Sequence, residues 1–149
     1  MKDLKDLSFA TRQIHVGKQK NTAGALCDPI YMTSTFAFDS VEQGGRRFAG
    51  EEGGYIYSRL GNPSCTAVEE KLASLEGEAA AVTSSGMGAI SSTLWSCLKA
   101  GDEIIAEEAL YGCTFSLMNH GLSEFGVTTK FVDLSKLENL KAALSEKTA

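Results

Sequence analysis

The chain has 149 residues, 43% of them hydrophobic and 22% charged, and carries a net charge of -5. This is the size and composition of one globular domain with enough apolar material to bury a core. The acidic balance excludes nucleic acid or an anionic membrane as the main partner, although a local basic site is compatible with it.

Cys27, Cys65, Cys97 and Cys113 are widely spaced with no CxxC pair, and His15 and His120 are the only histidines, so no metal site is expected. Met1 to Leu7 is charged and no apolar run follows it, which does not fit a signal peptide; nor could any stretch span a bilayer. The expectation is a cytoplasmic protein with reduced thiols.

In chain order, Thr11 to Gly17 reads as a short helix or turn. Asp28 to Tyr31 and Thr33 to Phe36 read as extended chain, with Pro29 disfavouring helix at Asp28. Gly44, Gly45, Gly50, Gly53 and Gly54, mixed with charges, predict a loop of a length unusual inside a compact domain unless it is functional or touches another subunit. Residues 1–61 are therefore expected to form an N-terminal arm and loop packing on a neighbouring subunit, and residues 62–149 the globular part.

From Asn62 the punctuation is regular. Asn62 suits an N-cap and Pro63 the first helical position; Val68, Leu72 and Leu75 share one face, and Gly77 stops the helix. Ala79 to Thr83 reads as a central strand, followed by a tight turn and a helix from about Met87 to Lys99 ending at Gly101. Glu103 to Glu107 predicts a strand, Thr114 to Phe125 a helix closed by Gly126, and Val127 to Val132 another strand. Ser135 is expected to cap a last helix bearing Leu137, Leu140 and Leu144. Helix and strand alternate, so the fold class is α/β with a mostly parallel sheet and flanking helices. Three strands make a thin sheet, and the last helix runs to Ala149 without a closing signal, so the chain reads as the first part of a larger fold.

Chemistry concentrates in Ala79 to Ile90. Ser84, Ser85, Gly86 and Gly88 let a backbone approach a ligand, and the first N–H groups of the following helix have no intrahelical acceptor. Those donors and the helix dipole suit a phosphate; the alternative is a packing turn with no ligand. The turn has no Gly-Lys-Ser or Gly-Lys-Thr end and no GxGxxG pattern, which disfavours a nucleotide-binding domain.

Three stretches taken together, Tyr55-Ile56-Tyr57-Ser58-Arg59-Leu60-Gly61-Asn62-Pro63, Ser84-Ser85-Gly86-Met87-Gly88-Ala89 and Leu110-Tyr111-Gly112-Cys113-Thr114, resemble in order and spacing the pyridoxal-phosphate enzymes of cysteine and methionine metabolism. Ile14 to Gly17 and Pro29 to Phe36 match the same family pattern. The resemblance implies the first part of a fold type I, aspartate aminotransferase-like cofactor domain and pyridoxal 5'-phosphate as cofactor. It places Ser85 and the backbone N–H groups of Gly86 and Met87 on the phosphate. Tyr57 and Arg59 would reach that phosphate from the neighbouring subunit of a homodimer, itself half of a homotetramer. Arg suits the task because its planar fork grips two oxygens while staying charged. By the same resemblance Tyr111 stacks on the cofactor ring and its hydroxyl protonates a departing thiolate, and Cys113 lies beside the substrate. Read without the resemblance, Arg59 is a surface ion pair, Tyr57 and Tyr111 are packed aromatics, and Cys113, like Cys27, Cys65 and Cys97, is a small buried hydrophobe.

The implied activity is a carbon–sulfur lyase acting on a small sulfur amino acid, by α,γ-elimination of L-methionine to methanethiol, ammonia and 2-oxobutanoate. Cys113 resembles the methionine-cleaving branch more than the cystathionine γ-lyase, cystathionine γ-synthase or O-acetylhomoserine sulfhydrylase branches, which stand as alternatives. The family's Schiff-base lysine, its aspartate for the pyridine nitrogen, and its arginine for the substrate carboxylate all match positions beyond this chain. The lysines present, such as Lys71, Lys130 and Lys147, read as solvated charges. The isolated chain is thus expected to be inactive, and from a different class it reads as a catalytically silent assembly module.

Overall fold

In the computed structural model, which describes residues 6–19 and 21–149, the start of each of the first four helices is set by a side-chain oxygen. Ser8 caps α1 (Phe9–His15), Ser40 caps α2 (Val41–Phe48), Asn62 caps α3 (Pro63–Glu76) and Ser85 caps α4 (Gly86–Cys97). Each accepts from a backbone N–H of the first turn that the helix itself cannot satisfy. The chain divides into two compact units, Met1–Val82 and Thr83–Ala149; the boundary at residue 61 expected from the sequence falls inside the first.

In the first unit α1 packs on α3, where the Arg12 guanidinium donates to the Ser74 carbonyl. Gly17 permits this approach. Its φ is +80°, and a Cβ there would lie 2.1 Å from the Ala67 carbonyl oxygen, so no other residue fits. An isolated antiparallel bridge joins Thr35 to Tyr57, closed by Phe36 N–H to the Ile56 carbonyl at 3.2 Å and Ser58 N–H to the Ser34 carbonyl at 2.8 Å. The glycine-rich loop expected from Gly44 onward is in part a helix, since α2 spans both Gly44 and Gly45. The Ser40 hydroxyl oxygen accepts from Gln43 N–H at 3.1 Å, and Gln43 Oε1 accepts from Asp39 N–H, one residue before the cap, at 2.7 Å. A Cβ on Gly44 would meet the Phe38 ring at 3.1 Å. That glycine marks close packing, not a turn.

From Asn62 on, the chain follows the predicted order with four corrections. Strands β1 (Glu103–Glu107) and β2 (Thr128–Val132) pair in parallel, from Glu103 with Thr128 to Glu107 with Val132. Ala79 to Thr83 is not a strand: among the described residues it has no ladder partner, and a run of three alanines has little to hold it extended. The single helix expected over 114–125 is three pieces. These are α5 (Gly112–Ser116), a π-helical turn at Leu117–Gly121 and a 3-10 turn at Ser123–Phe125, closed by Gly126 at φ 80°. Hydroxyls satisfy the carbonyls this break exposes: Thr129 donates to Met118 O at 3.1 Å, and Ser123 to His120 O at 2.9 Å. Ser135 does not cap α6 (Leu137–Ala143), because its hydroxyl and N–H are both taken by the Asp133 carboxylate. Finally, α6 ends at Ala143, and the residues after it turn back: Glu103 donates to Lys147 O at 2.8 Å and bridges Thr148 in parallel. The core is Ile104, Leu122 and Val127, with Leu94, Leu98 and Met118 packed around it, and Leu122 is fully buried.

Glu103 is where these pieces meet. Its carboxylate accepts from Lys130 Nζ at 2.7 Å on β2 and from the Ser145 hydroxyl beyond α6. Those hydrogen bonds, Lys130 first, hold its carboxyl below the ordinary value of 4.5. A depressed carboxyl stabilises the fold above its unfolded value, and that contribution is lost as pH falls from about 4.5 through the lower folded value. Glu103→Gln is therefore expected to lower the unfolding midpoint at pH 7 and to differ little from the parent well below pH 4. Thermal melts at both pH values check this, and an equal gap at each would overturn it.

Candidate functional site

The second unit holds the turn between Thr83 and α4. Ser85 is extended (φ -162°, ψ 159°), and its side chain accepts from Gly88 N–H at 2.9 Å. Its carbonyl takes Ala89 N–H at 3.0 Å and the Thr83 hydroxyl at 2.7 Å. Gly88 and Ala89 are thereby satisfied, whereas the N–H groups of Gly86 and Met87 have no acceptor among the described residues. The two glycines differ in kind. A Cβ on Gly88 would meet Ser85 Oγ at 3.2 Å, so that position needs the small residue to close the turn, while Gly86 faces open space. No acidic side chain sits in the first turn of α4. Two adjacent free donors at the positive end of a 12-residue helix form a place for an anion.

Tyr111 stands at the N-cap of α5, four residues after the end of β1, with its side chain 68% exposed. The carboxyl end of a parallel strand is where ligands meet open α/β sheets. Cys113 beside it is also exposed. The Cys113 side chain, through a hydrogen bond and then its charge, pushes the Tyr111 phenol above its ordinary value of 10.0. Thr114, one of the buried polar residues of the chain, directs its hydroxyl at Met87 Sδ, 3.7 Å away. That contact couples the turn carrying Tyr111 to the free donors of α4. Sequence reasoning quoted Thr114 only as the end of a motif, because its role depends on a contact 27 residues distant.

The first unit holds Tyr57 and Arg59. Tyr57 is tied into the bridge with Thr35, and its carbonyl accepts from Leu60 N–H at 2.8 Å and Gly61 N–H at 3.1 Å, closing a turn with Arg59 at its tip. The exposed Arg59 guanidinium lies over the Tyr57 ring, 4.6 Å from its centroid. Among the described residues no carboxylate lies within ion-pair distance of it. So Arg59 is not the surface ion pair that the residue type alone suggests. Ser85, Gly86, Met87, Tyr111 and Cys113 thus share one unit, and Tyr57 and Arg59 share the other. Cys27, Cys65 and Cys97, expected as small buried hydrophobes, are exposed free thiols. Cys65 stands in the first turn of α3 and Cys97 is the last residue of α4, positions with less to cover them than a helix middle.

A profile of the Cys/Met metabolism PLP-dependent enzymes matches residues 10–149. The chain is 62% identical over 148 residues to an L-methionine gamma-lyase of Treponema denticola, covering 99% of this chain and 37% of that protein. An L-methionine gamma-lyase of Pseudomonas putida is 49% identical over 142 residues, 94% of this chain and 36% of that protein. A homocysteine synthase of Schizosaccharomyces pombe is 41% identical over 142 residues, 94% of this chain and 33% of that one. The crystal structure of metB from Corynebacterium glutamicum superposes with a TM-score of 0.85 at 34% identity, over 98% of this chain and 37% of that chain. The chain therefore spans a little over a third of the length of the proteins it matches.

The Tyr111 and Cys113 pair makes a direct electrostatic test. The hydrogen bond and charge of the Cys113 side chain are what raise the Tyr111 phenol, so removing that side chain removes the cause. Cys113→Ala is expected to lower the Tyr111 pKa toward its ordinary value. Near-ultraviolet tyrosinate absorbance against pH, taken as a difference from the Tyr111→Phe variant, reads this out; an unmoved or raised titration would contradict it.

Proposed function

The chain belongs to the Cys/Met metabolism PLP-dependent enzyme family, matched over residues 10–149, and from that premise we propose that it forms the phosphate-gripping and ring-stacking part of a carbon–sulfur lyase. The proposed reaction is α,γ-elimination of L-methionine, with water, to methanethiol, ammonia and 2-oxobutanoate. The observation that carries the substrate is the step in identity, from 62% and 49% with L-methionine gamma-lyases down to 41% with a homocysteine synthase.

The residues present fit pyridoxal phosphate. The donor set suits a dianion, since the Gly86 and Met87 N–H groups have no acceptor among the described residues and Gly86 adds no side chain there, and the Ser85 hydroxyl, which accepts from Gly88, keeps its own proton to donate. Once bound, the cofactor supplies an electron sink for proton loss next to the amino group. The rest is the protein's work. Ser85, Gly86 and Met87 bind and orient the phosphate; Arg59 and Tyr57, from a second subunit of a homodimer or homotetramer, complete its grip. The Tyr111 ring supplies a flat stacking face, and its hydroxyl gives a proton to the sulfur as the carbon–sulfur bond breaks. A phenol at its ordinary value is already protonated at neutral pH, the state from which a proton donor must start. Cys113, two residues on, is the proposed contact for the substrate side chain, a role its exposure supports. The enzyme is proposed to work in the cytoplasm with its thiols reduced, in keeping with four free cysteines.

The test uses the full-length protein that carries this chain. L-methionine is expected to be cleaved with a higher kcat/KM than cystathionine, and the reverse order would move the assignment to the cystathionine branch. Tyr111→Phe is expected to lower kcat by about a hundredfold, the scale of a lost general acid, with a smaller change in KM. Unchanged turnover would remove the proton-donor role, and no turnover of either substrate by the parent would leave the assembly module as the reading.

A further inference from the structure

Asn62 does more than cap α3. Its side chain is among the few buried polar groups of the chain, 6% exposed. Capping uses only its oxygen, which accepts from Ser64 N–H at 2.9 Å, and Asp or Ser would serve that need as well. The nitrogen is surplus to the cap, yet both of its protons are placed. It donates to the Tyr31 carbonyl at 3.0 Å and to Ser58 Oγ at 2.9 Å. Ser58 is the residue between Tyr57 and Arg59. Its hydroxyl donates onward to the Thr33 carbonyl and its N–H to the Ser34 carbonyl at 2.8 Å. Ser64 repeats the pattern from the helix side, its hydroxyl accepting from Tyr31 N–H at 2.9 Å. Three stretches of the first unit, around Tyr31, around Ser58 and at the start of α3, thus converge on one carboxamide.

Arg59 has no comparable support. Its guanidinium rests on the Tyr57 ring and has no ion-pair partner among the described residues. The direction in which it projects is therefore set by the backbone of the Tyr57–Gly61 turn. That turn is pinned to the unit through Ser58, and Ser58 is pinned through Asn62. We infer that Asn62 is a positioning residue whose side-chain nitrogen, through Ser58, fixes the turn that presents Tyr57 and Arg59 to an anionic phosphate. This inference rests on the proposed role of Arg59 and Tyr57 in gripping the cofactor phosphate.

Asn62→Asp keeps shape and cap but exchanges the two donors for a charged acceptor, so Ser58→Ala, which breaks the relay without adding charge, is read beside it and must show the same selective loss. The experiment measures, in the full-length protein, dissociation constants for pyridoxal phosphate and for pyridoxal, which lacks the phosphate. The variants are Asn62→Asp, Ser58→Ala, Arg59→Ala and the Asn62→Asp/Arg59→Ala double. Asn62→Asp is expected to weaken pyridoxal phosphate about tenfold, on the scale of one lost hydrogen bond to a charged group, and to leave pyridoxal nearly unchanged. In the double variant it is expected to add nothing to the loss from Arg59→Ala, because both act through one group. An equal loss for both ligands, or a full additive loss in the double variant, would reduce Asn62 to a structural cap and overturn the inference. An unchanged preference for pyridoxal phosphate in Arg59→Ala would instead remove the phosphate role of Arg59, and the inference with it, and the single variants tell the two failures apart. Should Asn62→Asp not fold, Ser58→Ala carries the test: a loss confined to the phosphorylated ligand supports the inference, and no such loss overturns it.

Discussion

The unmet N–H groups of a helix's first turn are the constraint on which this structure depends. A helix leaves such donors at its start without partners, and burial without one is costly. The chain answers the same way four times, with Ser8, Ser40, Asn62 or Ser85 placing a side-chain oxygen on one of them. What differs is what becomes of the rest. At α2 Gln43 returns its side-chain oxygen to the Asp39 N–H just ahead of the helix. At α4 Ser85 takes only the Gly88 donor, and the first helical residue, Gly86, has no side chain to cover that end. The same rule thus starts both helices, and Gly86 leaves the start of α4 the more open of the two.

Much of this was legible in the sequence because it is local. Asn62 followed by Pro63 fixes the start of α3, Gly77 its end, and Gly126 in the left-handed region ends the broken helix before β2. The apolar runs of β1 and β2 appear where their patterns put them. The misreadings share one cause, in that the deciding contact lies elsewhere. Gly44 looks like loop chemistry until the Phe38 ring is found against it. Ser135 looks like a cap until Asp133 takes its hydroxyl. Ala79 to Thr83 has the composition of a strand edge, but a strand exists only by pairing, and no described segment pairs with it. The same holds for the candidate site. The small residues of the turn at Ser84 to Gly88 announce a close approach, whereas Thr114 and the nitrogen of Asn62 carry no local signal.

Charge is distributed in a way that the net value of -5 conceals. Among the described residues three carboxylates are in ion pairs: Glu52 with Arg46 at 2.7 Å, Glu103 with Lys130 at 2.7 Å, and Asp133 with Lys136 at 3.5 Å. Pairs this exposed contribute little stability, about 1 kcal/mol or less each. Their consequence is instead what they leave over. Among the described residues Arg59 has no carboxylate partner and lies on an aromatic face, which orients a guanidinium without discharging it. An arginine meant for an external dianion has to be kept in that state, since an internal partner would have to be displaced before a ligand could bind.

The Tyr111 and Cys113 pair sets a second electrostatic condition, and it limits how the site can act. A phenol raised by a neighbouring sulfur holds its proton more firmly, so it is reliably loaded at neutral pH but reluctant to release it. Such a group is a poor general acid toward a weak base and a useful one toward a strong base. An alkanethiolate leaving a carbon is a stronger base than a carboxylate. A leaving group of lower basicity would gain less from the same donor. The Tyr111 phenol and the Cys113 thiol are thus electrostatically linked while both are exposed, so a change at Cys113 is felt at the phenol.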